Sequence, residues 1–170
     1  MELSVEGRQQ IISLSPFLLS IRFDTCFCSP LIRCAHTVTL LGLECDPVFD
    51  DHVKEIDFGS WEGLSFEQVQ KDFSDQLTDW EREGENFSFP GGEMIRAFNS
   101  RITCWLDNLL TKDFNRVLIV THGGVIRIAL CYLLGLETDR AFAFNPREGR
   151  VSIVNVVDGF GQLHMLNCKG

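Results

Sequence analysis

The run Val117-Leu118-Ile119-Val120-Thr121-His122-Gly123-Gly124 constrains the fold more than any other segment of the chain. Four consecutive apolar residues, three of them β-branched, fit a short strand buried on both faces, as in a parallel sheet. Two glycines end it, and residues 125–134 then carry apolar side chains at helical spacing. His122 therefore stands on the turn between a buried strand and the N-terminus of a helix. Open α/β sheets hold their ligands at such turns, where unpaired backbone N–H groups and the helix dipole favour an anion. The competing reading is a histidine that caps the helix or satisfies a buried turn.

The rest of the chain repeats the strand-helix alternation. A first helix is expected over about residues 4–21, capped near Ser4 and interrupted at Pro16. Residues 25–28 read as a strand in which Cys26 and Cys28 face the same way. Ser29-Pro30 has the form of an N-cap followed by a first-turn proline, opening a helix to about residue 43. Further strands are expected at 47–49, 116–121 and 141–144. Two last ones, at 151–157 and 162–166, are joined through Asp158-Gly159. Short helices are expected near 65–71 and 73–83, and a long one from Gly91-Gly92-Glu93 to Leu110. No repeat or linker divides the 170 residues. The expectation is a single domain with a mostly parallel sheet between two helical layers, and residues 50–90, the most polar stretch, forming a cap over one sheet edge.

Charge and cysteine content narrow the function. The net charge is −9 and no run of Lys or Arg occurs, which speaks against nucleic acid or an anionic membrane as partner. An anionic small molecule must then be drawn by a local cluster of Arg and His. Seven scattered cysteines, without a second pair at zinc-site spacing, read as buried free thiols, and no metal is expected. The apolar stretch 11–21 follows acidic residues and contains serines and a proline, so it is read as neither leader nor span, and a cytoplasmic location is expected.

Two further residues could act with His122. Arg33 lies in the first turn of the helix after the 25–28 strand, on the same rim of the sheet, where a guanidinium can grip two phosphate oxygens. Taken alone, it reads first as a surface arginine paired with an acid. Glu62, in Asp57-Phe58-Gly59-Ser60-Trp61-Glu62-Gly63, stands beside an indole and between Phe58 and Leu64. Partial desolvation there would suit a proton donor, whereas a solvated loop glutamate is the plainer alternative.

Taken in order, Ser29-x-Leu31-x-Arg33-x-x-x-Thr37, Asp57-Phe58-Gly59-x-Trp61-Glu62-Gly63, Pro90-Gly91-Gly92-Glu93 and Thr121-His122-Gly123-Gly124 resemble the histidine phosphatase (phosphoglycerate-mutase-like) superfamily. The resemblance runs essentially from Leu3 onward. It implies a three-layer α/β/α phosphatase of small phosphorylated substrates, without cofactor. In such enzymes a histidine attacks phosphorus and forms a phosphohistidine, cationic groups hold the equatorial oxygens, and a carboxyl group protonates the leaving alkoxide. By this resemblance Arg33 clamps phosphate, His122 is the supporting phosphate-binding histidine, Glu62 is the proton donor, and the Gly123 N–H adds a backbone contact. The small cap and short C-terminus look most like the α-ribazole-5′-phosphate phosphatases of cobalamin biosynthesis, with broad-specificity small phosphatases as the near alternative. Arg147 or Arg150 is expected to help bind substrate.

One part of the pattern is lacking. The nucleophile of this superfamily sits in an Arg-His-Gly motif at the end of its first strand. None of His36, His52, His122 and His164 follows an arginine and precedes a glycine. The chain thus reads as an N-terminally truncated domain without the family's first strand, and a non-catalytic phospholigand-binding protein is the alternative. Absence of that strand should leave two apolar strand edges uncovered and favour self-association.

Overall fold

The computed structural model describes residues 2–169. Helix α1 (Val5–Leu19) starts at Ser4, whose hydroxyl accepts the Gly7 N–H, and contains Pro16. Strand β1 (Thr25–Cys28) leads to α2 (Ile32–Leu41), which stops at Gly42 in the left-handed conformation. Strand β2 (Pro47–Phe49) follows, then α3 (Phe66–Asp72) and α4 (Ser74–Glu83). Ser65 and Gln68 close a reciprocal capping box on α3. Helix α5 (Ile95–Leu110), strand β3 (Val117–Val120) and helix α6 (Gly123–Leu133) come next, and β4 (Val151–Val157) and β5 (Phe160–Cys168) end the chain.

Strand β1 lies in the middle of a parallel sheet ordered β2-β1-β3, with Cys26 opposite Pro47 on one side and Leu118 on the other. Its alternation divides the interior. Cys26 and Cys28 point into a core formed with Ile11, Leu14 and Leu18 of α1 and Cys34, Val38 and Leu41 of α2. Phe27 points the other way and meets Trp105 edge-on at 5.2 Å, joining the larger core of α5, α6 and residues 53–89. Helices thus cover both faces of a parallel sheet, the layered α/β arrangement expected from the strand-helix alternation. Ile102 and Leu106 on α5 are almost wholly buried and anchor that second layer. Between β2 and α5, Trp61 is enclosed by Phe73, Trp80, Phe87 and Phe89 at ring distances of 5.3 to 6.2 Å.

Three local expectations are corrected. Ser29 does not cap α2: that helix begins two residues later with Leu31 as its N-cap, and the Ser29 side chain is fully buried toward His122. Residues 141–144 are not a strand, because Thr138–Ala143 coils into a 3₁₀ helix packed on α6. Nor is β3 covered on both sides, for only Val120 of its four residues is buried. Among the described residues β3 is bonded on one side alone, to β1, while β4 and β5 form a separate antiparallel hairpin turned by Asp158 and Gly159 at positive φ. The hairpin rests on the end of α6, where Gly161 comes so close that a Cβ would lie 2.1 Å from the Leu133 carbonyl oxygen. Among the described residues no helix is long and apolar enough to cross a membrane.

Candidate active site

His122 is the N-cap residue of α6 and only 6% exposed. Arg33, in the first turn of α2, donates from Nε to His122 Nδ1 at 3.0 Å. A guanidinium has no acceptor, so Nδ1 must be the unprotonated nitrogen and Nε2 carries the hydrogen. Nε2 lies 2.7 Å from Ser29 Oγ, which therefore accepts, as it does from the Leu31 N–H at 3.3 Å. Burial, reinforced by the charges of Arg33 and Arg101, pushes the imidazole down from 6.5 to about 3, so the ring is neutral. This pair is not a serine-hydrolase dyad, because Nε2 already holds a proton and cannot take another from Ser29. Cys34 Sγ touches the same ring at 3.5 Å, but burial pushes its thiol up to about 11 despite the neighbouring Arg33 charge. It stays a thiol and is no nucleophile at neutral pH.

The carboxylate facing this group is Glu55, which the sequence reading passed over. Its Oε2 accepts the Gly124 N–H at 3.2 Å, in the first turn of α6. A Cβ on Gly124 would sit 2.3 Å from Glu55 Oε1, so the approach requires glycine there. The nearby thiol of Cys34 feels the Glu55 charge. Thr121 Oγ donates to the Val53 carbonyl at 2.6 Å and ties the base of the Glu55 loop to the end of β3. One signal for Glu55 was available in the sequence: it is an acid between Val53 and Ile56, both of which turn out to be buried.

Glu62 lies in a different setting. Its side chain is exposed and accepts only the nearby Phe58 N–H, at 3.3 Å, so the desolvation expected of it does not occur. The indole of Trp61 turns inward instead. Gly123 opens α6 beside His122, as expected. Arg147 is exposed, and Arg150 reaches only the Gly149 carbonyl, at 3.4 Å; neither is joined to His122. His52 bonds Asp50 at 2.8 Å, and His36 Nδ1 is buried without a partner. Among the described residues no group of three or more His, Cys, Asp or Glu side chains could hold a metal ion.

The Asp57-Phe58-Gly59 and Pro90-Gly91-Gly92-Glu93 segments lie back to back. Ser60 N–H donates to the Pro90 carbonyl and Glu93 N–H to the Asp57 carbonyl, each at 2.8 Å. A Cβ on Gly59 would lie 2.3 Å from Pro90 O, and one on Gly92 2.3 Å from Asp57 O. The two loops can pack this closely only because both positions are glycine.

A neutral imidazole, an arginine and a glycine-rich helix N-terminus beside one carboxylate are grouped at one end of a layered α/β fold, an arrangement with the donors to hold an anion. Comparison with known proteins agrees. A family model described as "Histidine phosphatase superfamily (branch 1)" matches residues 1–169, and the chain belongs to that family. It is 25% identical over 169 residues to phosphoserine phosphatase 1 of Hydrogenobacter thermophilus, covering 98% of this chain and 80% of that protein. It is likewise 25% identical over 170 residues to the adenosylcobalamin/alpha-ribazole phosphatase of Escherichia coli, covering 98% and 84%. The crystal structure of the alpha-ribazole phosphatase from Shigella flexneri superposes with a TM-score of 0.90 at 24% identity, over 98% of this chain and 84% of that one. The fold and a phosphatase role follow from this membership.

Proposed function

We propose that residues 1–170 supply the phosphate-binding and proton-donating part of a phosphomonoesterase acting on small phosphorylated molecules. The observation that carries this reading is the meeting of Arg33, His122 and Glu55 at the N-terminus of α6. Arg33 clamps two phosphate oxygens, a Gly123 or Gly124 N–H holds a third, and His122 lines the same pocket. Glu55, at the edge of that pocket, protonates the departing alkoxide as the oxygen–phosphorus bond breaks, then takes a proton from the water that releases phosphate. Glu55 takes this role in preference to Glu62 because Glu55 shares the helix N-terminus with His122, whereas Glu62 bonds only within its own loop. Self-association of the chain through the open side of β3 belongs to the same reading.

The attacking nitrogen comes from outside this set. His122 gives both ring nitrogens to Arg33 and Ser29, His52 is bonded to Asp50, and the buried His36 Nδ1 has no hydrogen-bond partner among the described residues. That observation also supports a second reading, in which these 170 residues bind a phosphorylated ligand without turning it over. Similarity to alpha-ribazole phosphatases puts α-ribazole 5′-phosphate first among substrates to try, with phosphoserine second.

The test is calorimetric titration of the chain with inorganic phosphate, beside hydrolysis assays on both esters. Binding is expected, and Arg33→Met should weaken it by about 10- to 100-fold, the worth of a charge-assisted bond. Absence of phosphate binding refutes the site. Turnover by the 170-residue chain that is lost in His122→Ala refutes the claim that the nucleophile lies outside it.

A further inference from the structure

The proposed phosphate chemistry makes no use of the Pro90-Gly91-Gly92-Glu93 motif or Arg101, yet Glu93 and Arg101 line one open pocket with Glu55 and are joined by several polar contacts. Arg101 Nε donates to Glu93 Oε1 at 2.8 Å and Nη2 to Glu93 Oε2 at 3.1 Å. The same guanidinium turns two nitrogens toward the Glu55 loop: Nη1 donates to the His52 carbonyl at 2.6 Å, and Nη2 shares its hydrogens between Glu93 and the Lys54 and Glu55 carbonyls at 2.9 and 3.3 Å. It lies 4.7 Å over the ring of Phe98, and that ring is in turn 3.2 Å from where a Gly124 Cβ would project. Glu93 contributes a second connection by accepting the Asp57 N–H at 3.4 Å and donating its own N–H to the Asp57 carbonyl.

We propose that Arg101, held by Glu93, is a positioning residue that fixes the Glu55 loop so that its carboxylate stays at the N-terminus of α6. The contacts bracket Glu55, through the carbonyls of His52 and Lys54 before it, its own carbonyl, and the amide and carbonyl of Asp57 after it. A surface ion pair does not account for this. Arg101 and Glu93 are only 20% and 21% exposed, and the three carbonyls lie far away in the sequence. A lysine cannot replace the arginine, because a single ammonium cannot reach a carboxylate and three carbonyls in separate directions. The inference rests on reading Glu55 as the proton donor, but what it asserts is geometric.

It is tested on the full 170-residue chain by following the Gly124 amide in nitrogen-15 NMR spectra over a pH titration. In the native chain this amide responds to the protonation of the carboxylate it touches, and Glu55→Gln abolishes the response. Arg101→Lys is expected to lose the response as Glu55→Gln does, while circular dichroism and the amides of α1 and α2 stay native. Should Arg101→Lys not fold, Glu93→Gln weakens the same fork without changing its shape, and the Gly124 response should be reduced. A full response retained in either folded variant, with only the melting temperature lowered, overturns the proposal. The Gly124 response reads the place of the Glu55 carboxylate and not turnover, so a failure of the donor role leaves this result and the positioning standing.

Discussion

Between pH 7 and pH 5 the imidazole of His122 should cost the folded chain stability that a chain without it keeps. The ring is buried against Arg33, with Arg101 also bearing on it, and is held at about 3 instead of 6.5. The unfolded chain therefore binds a proton below pH 6.5 that the folded chain refuses, so this contribution is complete above 6.5 and is lost as pH falls toward 3. From pH 7 to pH 5 the difference comes to about 2 kcal/mol, roughly a 4–8 °C fall in melting temperature for a domain of this length. The other displaced acids and thiols leave this window clear. Burial alone would raise Asp50, but bonds from His52 and Trp105 hold it below its ordinary 3.8, and the Arg116 and Asn115 amides do the same for Asp24. Both titrate below the range concerned, and burial keeps the thiols of Cys26, Cys28 and Cys34 protonated throughout. The assay is urea unfolding of the native chain and of His122→Gln at both pH values. The native chain should lose about 2 kcal/mol more than the variant. Equal losses would mean that the ring charges freely in the folded state, and the tautomer assigned from the Arg33 contact would be wrong.

Three other outcomes are expected. Gly92→Ala would bring a Cβ to 2.3 Å from the Asp57 carbonyl and 2.7 Å from the Gly59 nitrogen, both rigid backbone atoms. It should therefore destabilise the chain by about 1–3 kcal/mol in chemical unfolding, whereas an unchanged midpoint would show that the two loops separate readily. Alkylation at pH 8 should label exposed Cys104 well before Cys26 and Cys28, whose thiols burial pushes up to about 12, as read by peptide mass mapping with and without denaturant. The uncovered side of β3 should make the chain associate as its concentration rises, and a monomer by sedimentation at every concentration would contradict this.

The parts of the fold that depend on periodicity were readable in the sequence. Residues 25–28 and 47–49 form strands where apolar and β-branched residues cluster, and Ser4 and Gly42 bound their helices by ordinary capping chemistry. What escaped notice depends on contacts distant in sequence. Ser29 has the local form of a helix cap, and only its proximity to a histidine more than ninety residues later shows where its hydroxyl is used. Residues 141–144 look like a strand, but docking on α6 coils them. Glu55 and Glu62 are both acids near aromatic residues, and the one local difference, the apolar Val53 and Ile56 around Glu55, does not say which acid meets His122. What separates them is which one reaches the N-terminus of α6.

The back-to-back packing of Gly59 on Pro90 and of Gly92 on Asp57 has a consequence for the segment between them. The chain leaves the sheet layer and returns to it through one backbone staple, and the isolated bridge between Ser88 and Met94 lies beside it. The segment from Trp61 to Phe89 hangs from that staple, and its aromatic rings pack on one another and on the core built by α5. The exposed face of this segment is then free to vary in sequence while the staple keeps the Glu55 loop, which runs into it, in register.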